Sequence, residues 1–330
     1  MTQRGGGDIV ISQETLLVKI LKLVLKIVPD LSFTKRVGRP FVYRPRVVIC
    51  CFLVMVAKRL SVRGLHSFLT NTDDMPAVQV QKTIPFPKGK IPTRRTFDRR
   101  LKTSMRVLQY SMLAIILFLV KRFHLGISHL AVDNRMFEAF GALWHRKDQK
   151  KGVIPDKLRN VDKTAGWGIS HYRGWVYGHA LDVCVTTGKL VLPVLAFSRS
   201  LLIRGNTALK QFGPMLPRVK RGSIVADSEY DDYELAMLFD TTGRKLFAPS
   251  KRNQKEWKAN SWYKKRKITV EPFFERFLLA FPIRGKLDRK GPQAWPYLVL
   301  CCLLYQLMVT YNLIHHATSP MEVTHLIRML

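Results

Sequence analysis

Three carboxylates stand where a chain could do chemistry with a hard metal ion. Asp133 and Asp227 each close an apolar run that reads as a strand, and Glu271 lies within Tyr263-Lys-Lys-Arg-Lys-Ile-Thr-Val-Glu-Pro-Phe-Phe. Magnesium prefers oxygen ligands and is usually held by one or two carboxylates together with substrate phosphate. Two such ions, about 3.5–4 Å apart, can activate a nucleophile and stabilise the leaving oxygen of a phosphodiester. A plainer reading stays open for each acid: Asp133 as a turn cap, Asp227 with Ser228 as a helix cap, Glu271 as an ion-pair partner of Arg266 or Lys267. Other chemistries find less support. No His-Glu-x-x-His pair is present, Ser198, Ser200 and Ser228 lack a Gly-x-Ser-x-Gly context, and no glycine-rich fingerprint follows a strand.

The stretch around Glu271 reads as an amphipathic helix. At about 100° per residue, Val270, Phe273, Phe274, Phe277, Leu278 and Phe281 share one broad apolar face. Glu271 falls on the edge of that face, and Glu275 lies roughly 40° further toward solvent as the fallback acid. Pro272 predicts that Glu271 sits at a helix start or a kink, because the residue before a proline resists helical geometry.

The elements that must position these acids follow from periodicity. Helical spacing runs over Ser12 to Val28, Arg46 to Arg59 and, behind a Ser61 cap, Val62 to Leu69. Asn71 to Pro92 carries four prolines and reads as a loop. One helix then opens at Thr93 or Thr96, basic through Arg94, Arg95, Arg99, Arg100 and Lys102 and apolar from Leu108 to Val120. Short helices ahead of an arginine-rich helix start suit a helix-turn-helix-like DNA binder. A solvated basic face on a helical bundle is the bland alternative for any one of these arginines.

From His129 onward strands appear. His129 to Asp133 is one, Tyr177 to Thr187 and Leu190 to Phe197 form a hairpin around Thr187-Gly188, Gly222 to Asp227 is another, and Lys245 to Ala248 a last. Trp144 to Arg173 reads as an irregular excursion, and helices are expected over Asn206 to Leu216 and Tyr230 to Phe239. The pattern predicts an α/β fold, a mixed sheet flanked by helices and preceded by an all-α region. The expected divisions are 1–125 for the helical DNA-binding region, 126–312 for the catalytic domain and 313–330 for a C-terminal tail.

Charge narrows the partners. The 330 residues carry a formal net charge of +32, divided between residues 1–125 (23 − 6 = +17) and the remainder (32 − 17 = +15). So large an excess points to a polyanion, nucleic acid before an anionic membrane. The five cysteines, Cys50, Cys51, Cys184, Cys301 and Cys302, lack zinc spacing and are odd in number, which suits a reducing cytoplasm. Three apolar runs, Val47 to Ala57, Leu108 to Val120 and Leu298 to Tyr311, fall short of the ~18 residues of a spanning helix and read as buried core helices.

Four motifs in order then carry a family likeness: Ala131-Val-Asp-Asn, Trp175-Val-Tyr-Gly-His-Ala-Leu-Asp-Val with Thr187-Gly188, Val225-Ala-Asp-Ser-Glu-Tyr-Asp, and the Tyr263 to Phe274 run. Together they resemble the DDE transposases of bacterial insertion sequences over about 130–312. Leu60-Ser-Val-Arg-Gly-Leu and Ile91-Pro-Thr-Arg-Arg-Thr-Phe extend the likeness to the helical region. The resemblance implies a ribonuclease H-like core with two Mg2+ or Mn2+ ions on Asp133, Asp227 and Glu271. It implies strand cleavage at element ends and attack of the freed 3′-hydroxyl on target DNA. Lys264, Lys265 and Arg266 would join the helical arginines as contacts to double-stranded DNA, in a homo-oligomer assembled on that DNA in the bacterial cytoplasm and away from any membrane. Leu278 stands where many relatives carry lysine, and Asp182 where many carry histidine.

Overall fold

The computed structural model describes residues 14–30, 42–170, 173–250, 261–281, 283 and 286–330, with the side chains of residues 262 and 263 excepted. Six helices come first: α1 (Leu16–Ile27), α2 (Pro45–Ala57), α3 (Val62–Thr70), α4 (Met75–Thr83), α5 (Arg94–Lys102) and α6 (Met105–Phe123). Their starts are chemically marked. Ser61 Oγ accepts the Gly64 amide at 3.0 Å and Thr93 Oγ1 the Thr96 amide at 3.3 Å, each satisfying one of the donors a helix start leaves open.

Two expectations fail here. The prolines of 71–92 do not exclude a helix, because Pro76 lies in the first turn of α4, where a missing amide hydrogen costs nothing. The single basic-then-apolar helix is two, α5 and α6, meeting at a 73° bend. Thr103 and Ser104 turn their hydroxyls onto the Arg99 and Leu101 carbonyls at that corner, at 3.2 and 2.8 Å.

The sheet is built from β1 (His129–Glu138), β2 (Gly166–Ser170), β3 (Gly174–Thr186), β4 (Pro193–Ser200), β5 (Gly222–Val225) and β6 (Arg244–Phe247). One edge of β3 pairs with β1; its other edge pairs with β2 at one end and β4 along the rest, all antiparallel. β5 joins β1 and β6 joins β5, both parallel. The order β4-β3-β1-β5-β6, antiparallel then parallel, with flanking helices and an all-α N-terminal region, is a ribonuclease H-like architecture.

β1 does not end near Asp133 as expected. It continues to Glu138, because its pairing with β3 runs from Leu130↔Thr186 to Glu138↔Gly178 although the sequence turns polar. The 144–173 stretch also holds more order than expected, the short helix α7 (Arg146–Lys151) and β2. Behind β4 come α8 (Gly205–Phe212), α9 (Tyr233–Asp240), α10 (Ser261–Ala280), α11 (Gly291–Ile314) and α12 (Thr324–Met329).

The core is continuous from the N-terminal helices through α11 to the sheet. All of Val47 to Ala57 is buried, as is every residue from Tyr297 to Thr310. At 24 residues α11 is long and apolar enough to cross a membrane, yet 83% of its most apolar window lies inside the protein. Gln306 of α11 donates to the Met112 and Pro193 carbonyls at 3.1 and 2.9 Å, tying it to α6 and the start of β4. All five cysteines are free and buried.

Candidate active site

Strand register brings the first two acids together. The parallel ladder of β1 and β5 ends with Ala131 opposite Val225; Asp133 and Asp227 each follow that last pair by two residues, near enough for the Asp227 charge to act on Asp133. Leu130, Ala131, Val132, Ile224, Val225 and Ala226 are fully buried beneath them. Both faces of this pair are therefore buried, as parallel strands under helices require. Asp133 Oδ1 accepts its neighbour's amide from Asn134 at 2.8 Å, and Asp227 Oδ1 accepts the Glu229 amide at 2.9 Å. Asp227 therefore does cap, as the plainer reading held, but it caps the single turn Ser228–Tyr230.

The electrostatics are those of crowded acids. Burial pushes the Asp133 carboxyl up to about 7; Arg266 opposes that rise and the Asp227 charge adds to it. Burial also raises Asp227, with the Glu229 amide and Arg266 opposing. Arg266 of α10 forms an ion pair with Asp133 Oδ2 and is itself buried. Its guanidinium stands in for a cation beside the two aspartates, and the oxygen-only donor pair suits a divalent ion.

Behind the pair lies a buried network that fixes the Asp227 turn. Asp182 of β3, opposite Asn134 of β1, is fully buried and takes Arg199 through Nε at 2.7 Å and Nη2 at 3.1 Å. The Tyr230 hydroxyl donates to Asp182 at 2.7 Å. Glu229 receives Arg199 at 3.1 Å, the Gly205 amide at 2.7 Å and Asn134 Nδ2 at 2.7 Å. Burial lifts Asp182 to about 6 against the pull of Arg199. Gly205 is required by this packing, because a Cβ there would meet Glu229, Arg199 and Asp182 oxygen or nitrogen atoms at 2.9–3.0 Å.

Glu271 is placed differently. It is exposed, the eleventh residue of a 20-residue helix that runs through Pro272, so the expected helix start is ruled out. Arg266 faces Asp133, and Glu271 follows it by about 7.5 Å along the axis and about 140° around it. No group of three His, Cys, Asp or Glu among the described residues converges to hold a metal. Of the apolar face expected for α10 and its end, Val270, Phe273, Phe274, Phe277 and Phe281 are buried and Leu278 is half-buried.

The expected DNA contacts divide. Arg94, Arg95 and Arg99 are exposed on α5, as is Lys264 on α10. Arg100 donates to the Tyr43 carbonyl at 2.7 Å, Lys102 pairs with Asp98 at 2.7 Å, Lys265 is half-buried, and Arg266 is committed to Asp133. The Asp182, Arg199, Glu229 and Tyr230 network was not anticipated. Its only signal was a single charge inside each of two apolar strands, since charged residues are almost never fully buried unless paired.

No protein-family model matches the chain, and no curated protein does. Among solved structures, a piggyBac transposase in a synaptic complex with hairpin DNA superposes at a TM-score of 0.40 and 11% identity, over 94% of this chain and 75% of that one. The likeness is distant. The functional reading rests on the residues.

Proposed function

We propose that this chain is a DDE-type DNA transposase, cleaving a DNA strand at element ends and transferring it to target DNA. The observation that carries the reading is the pairing of β1 with β5 in a ribonuclease H-like sheet, which leaves Asp133 and Asp227 each two residues beyond the last parallel pair, in a +32 chain. Asp133 and Asp227 would hold Mg2+ or Mn2+, and Glu271 would complete the set. Bound there, the ions would supply charge stabilisation for the attacking and leaving oxygens.

The chain's own residues have definable roles. Asp182, Arg199, Tyr230 and Glu229 hold the turn that orients Asp227. Arg266 balances the aspartate charge, and the exposed Arg94, Arg95, Arg99 and Lys264 offer cations to the phosphate backbone of double-stranded DNA. A homo-oligomer on that DNA, the bacterial cytoplasm and an insertion-sequence origin belong to the same reading.

A second reading is a DNA-binding remnant without cleavage, favoured by the exposure of Glu271 and the Arg266 pair on Asp133. Purified protein mixed with DNA bearing the inverted repeats that flank its gene separates the two. The transposase reading expects nicks that require Mg2+ or Mn2+. Salt-sensitive binding with no metal-dependent nick on any flanking sequence would leave the remnant.

A further inference from the structure

The parallel ladder of β1 and β5 stops at Ala131 and Val225, two residues short of the aspartates, so no backbone pair of that ladder sets how far apart the two carboxyls stand. A side chain crosses the gap. Asn134, the residue after Asp133, donates Nδ2 to Glu229 Oε2 at 2.7 Å and to the Tyr230 hydroxyl at 3.4 Å. Both ends of the Asn134–Glu229 bond are one step from an aspartate: Asp133 Oδ1 accepts the Asn134 backbone amide at 2.8 Å, and Asp227 Oδ1 accepts that of Glu229 at 2.9 Å. A continuous path therefore runs from one carboxyl to the other through Asn134 and Glu229, with a single side-chain hydrogen bond at its middle.

The chemistry of that bond is directional. A carboxylate only accepts; Glu229 Oε1 already faces the Gly205 amide and Arg199, and Oε2 is left for Asn134, whose amide must turn its amino group inward. The acceptor is charged, which makes such a bond roughly twice as strong as a neutral one. Each end is also anchored. Arg199 and the Gly205 amide hold Glu229, and the β1/β3 ladder holds Asn134 opposite Asp182.

We propose that Asn134 and Glu229 are positioning residues, whose hydrogen bond sets the separation of the Asp133 and Asp227 carboxyls and with it the affinity of the pair for a divalent ion. The proposal rests on the metal-binding reading of that pair. Magnesium-like ions demand near-ideal octahedral geometry at about 2.0–2.1 Å, so two ligands free to drift apart hold them less well. Removing a group that orients a metal ligand without touching the ion typically weakens binding by roughly 10- to 100-fold.

The test is Tb3+ luminescence excited through the aromatic residues of the full chain, with Mn2+ as competitor. The site is the Mn2+-displaceable signal that Asp133→Asn removes. Asn134→Ala should weaken Mn2+ competition there by about tenfold. Asn134→Asp sets carboxylate against carboxylate and should also weaken it, although it adds negative charge. The double variant Asn134→Asp, Glu229→Gln restores a donor facing an acceptor in reverse, at the net charge of the wild type, and should regain most of the lost affinity. A role in stability alone would lower the melting temperature of Asn134→Ala and leave its Mn2+ competition as in the wild type; a role of charge alone would tighten binding in Asn134→Asp. Either result, or a double variant that binds no better than Asn134→Asp, would overturn the proposal and leave the aspartate pair standing. A wild type without the Asp133-dependent signal would remove the metal pair and the tie together.

Discussion

Asp162 offers the most calculable perturbation in the molecule. It lies 1% exposed between the 139–165 segment, β3 and the start of α11, and its two oxygens are surrounded by donors. Oδ2 receives the Gly291 amide at 2.8 Å and pairs with His179 Nε2 at 2.9 Å; Oδ1 receives the Thr164 hydroxyl at 2.6 Å and amide at 3.1 Å. Trp295 can only donate, and it donates to His179 Nδ1 at 2.9 Å. Nδ1 is therefore the acceptor, and Nε2 carries the proton shared with Asp162. Burial alone would raise the carboxyl, but the His179 and Thr164 hydrogen bonds overcome it and hold Asp162 down at about 2, against an ordinary value of 3.8.

A carboxyl depressed on folding stabilises the native state above its unfolded pKa and loses that contribution as pH falls through its folded one. The shift corresponds to about 2 kcal/mol at pH 7, falling to about 1 kcal/mol at pH 3. At ~2.1 cal/mol/K per residue, 2 kcal/mol is roughly 3 °C of melting temperature for a chain of this length. Calorimetric melts of wild type and Asp162→Asn should show a gap at pH 7 that narrows as pH drops from 4 toward 3. A gap of constant size across that range, or none at pH 7, would refute the reasoning.

Other outcomes follow from single contacts. Phe273→Ala empties a fully buried site packed on Tyr305 at 5.3 Å between ring centroids, and should cost about 3–5 kcal/mol in denaturant unfolding. Asp182→Ala leaves the Tyr230 hydroxyl and the Arg199 Nε donor buried without their acceptor, with Glu229 still paired to Arg199, and should cost about 1–3 kcal/mol by the same measurement. Ser61→Ala removes the α3 cap for about 1 kcal/mol. Replacing Arg94, Arg95 or Arg99 with alanine should flatten the logarithmic salt slope of duplex binding by about one each, whereas Arg100→Ala should act chiefly on stability through the lost Tyr43 contact.

Local signals are legible in the sequence, and non-local ones are not. The Ser61 and Thr93 caps, the apolar face of α10 and the runs leading into Asp133 and Asp227 follow from residue types within a few positions of one another. The sequence predicts a short β1 because Asp133, Asn134 and Arg135 look like a strand end; their pairing partners lie on β3, about 50 residues away in sequence, and that edge keeps the strand going. α4 was hidden by prolines, one of which sits where a helix accepts it. The aspartate pair is legible as two apolar runs ending in acids, and the β1/β5 pairing brings the ends of those runs together. The Arg266 contact on Asp133 spans 133 residues, and the Asp182 network joins two strands to a turn; no periodicity encodes either.

The central claim is that Asp133 and Asp227 act as one site for phosphodiester cleavage. Its most direct test is a single nicking assay with Mg2+ or Mn2+ on DNA carrying the flanking repeats, comparing wild type with Asp133→Asn, Asp227→Asn and Glu271→Gln, each verified to bind that DNA as wild type does. The account predicts wild-type nicking and loss to background in all three variants. Wild-type rates in Asp133→Asn or Asp227→Asn would contradict it.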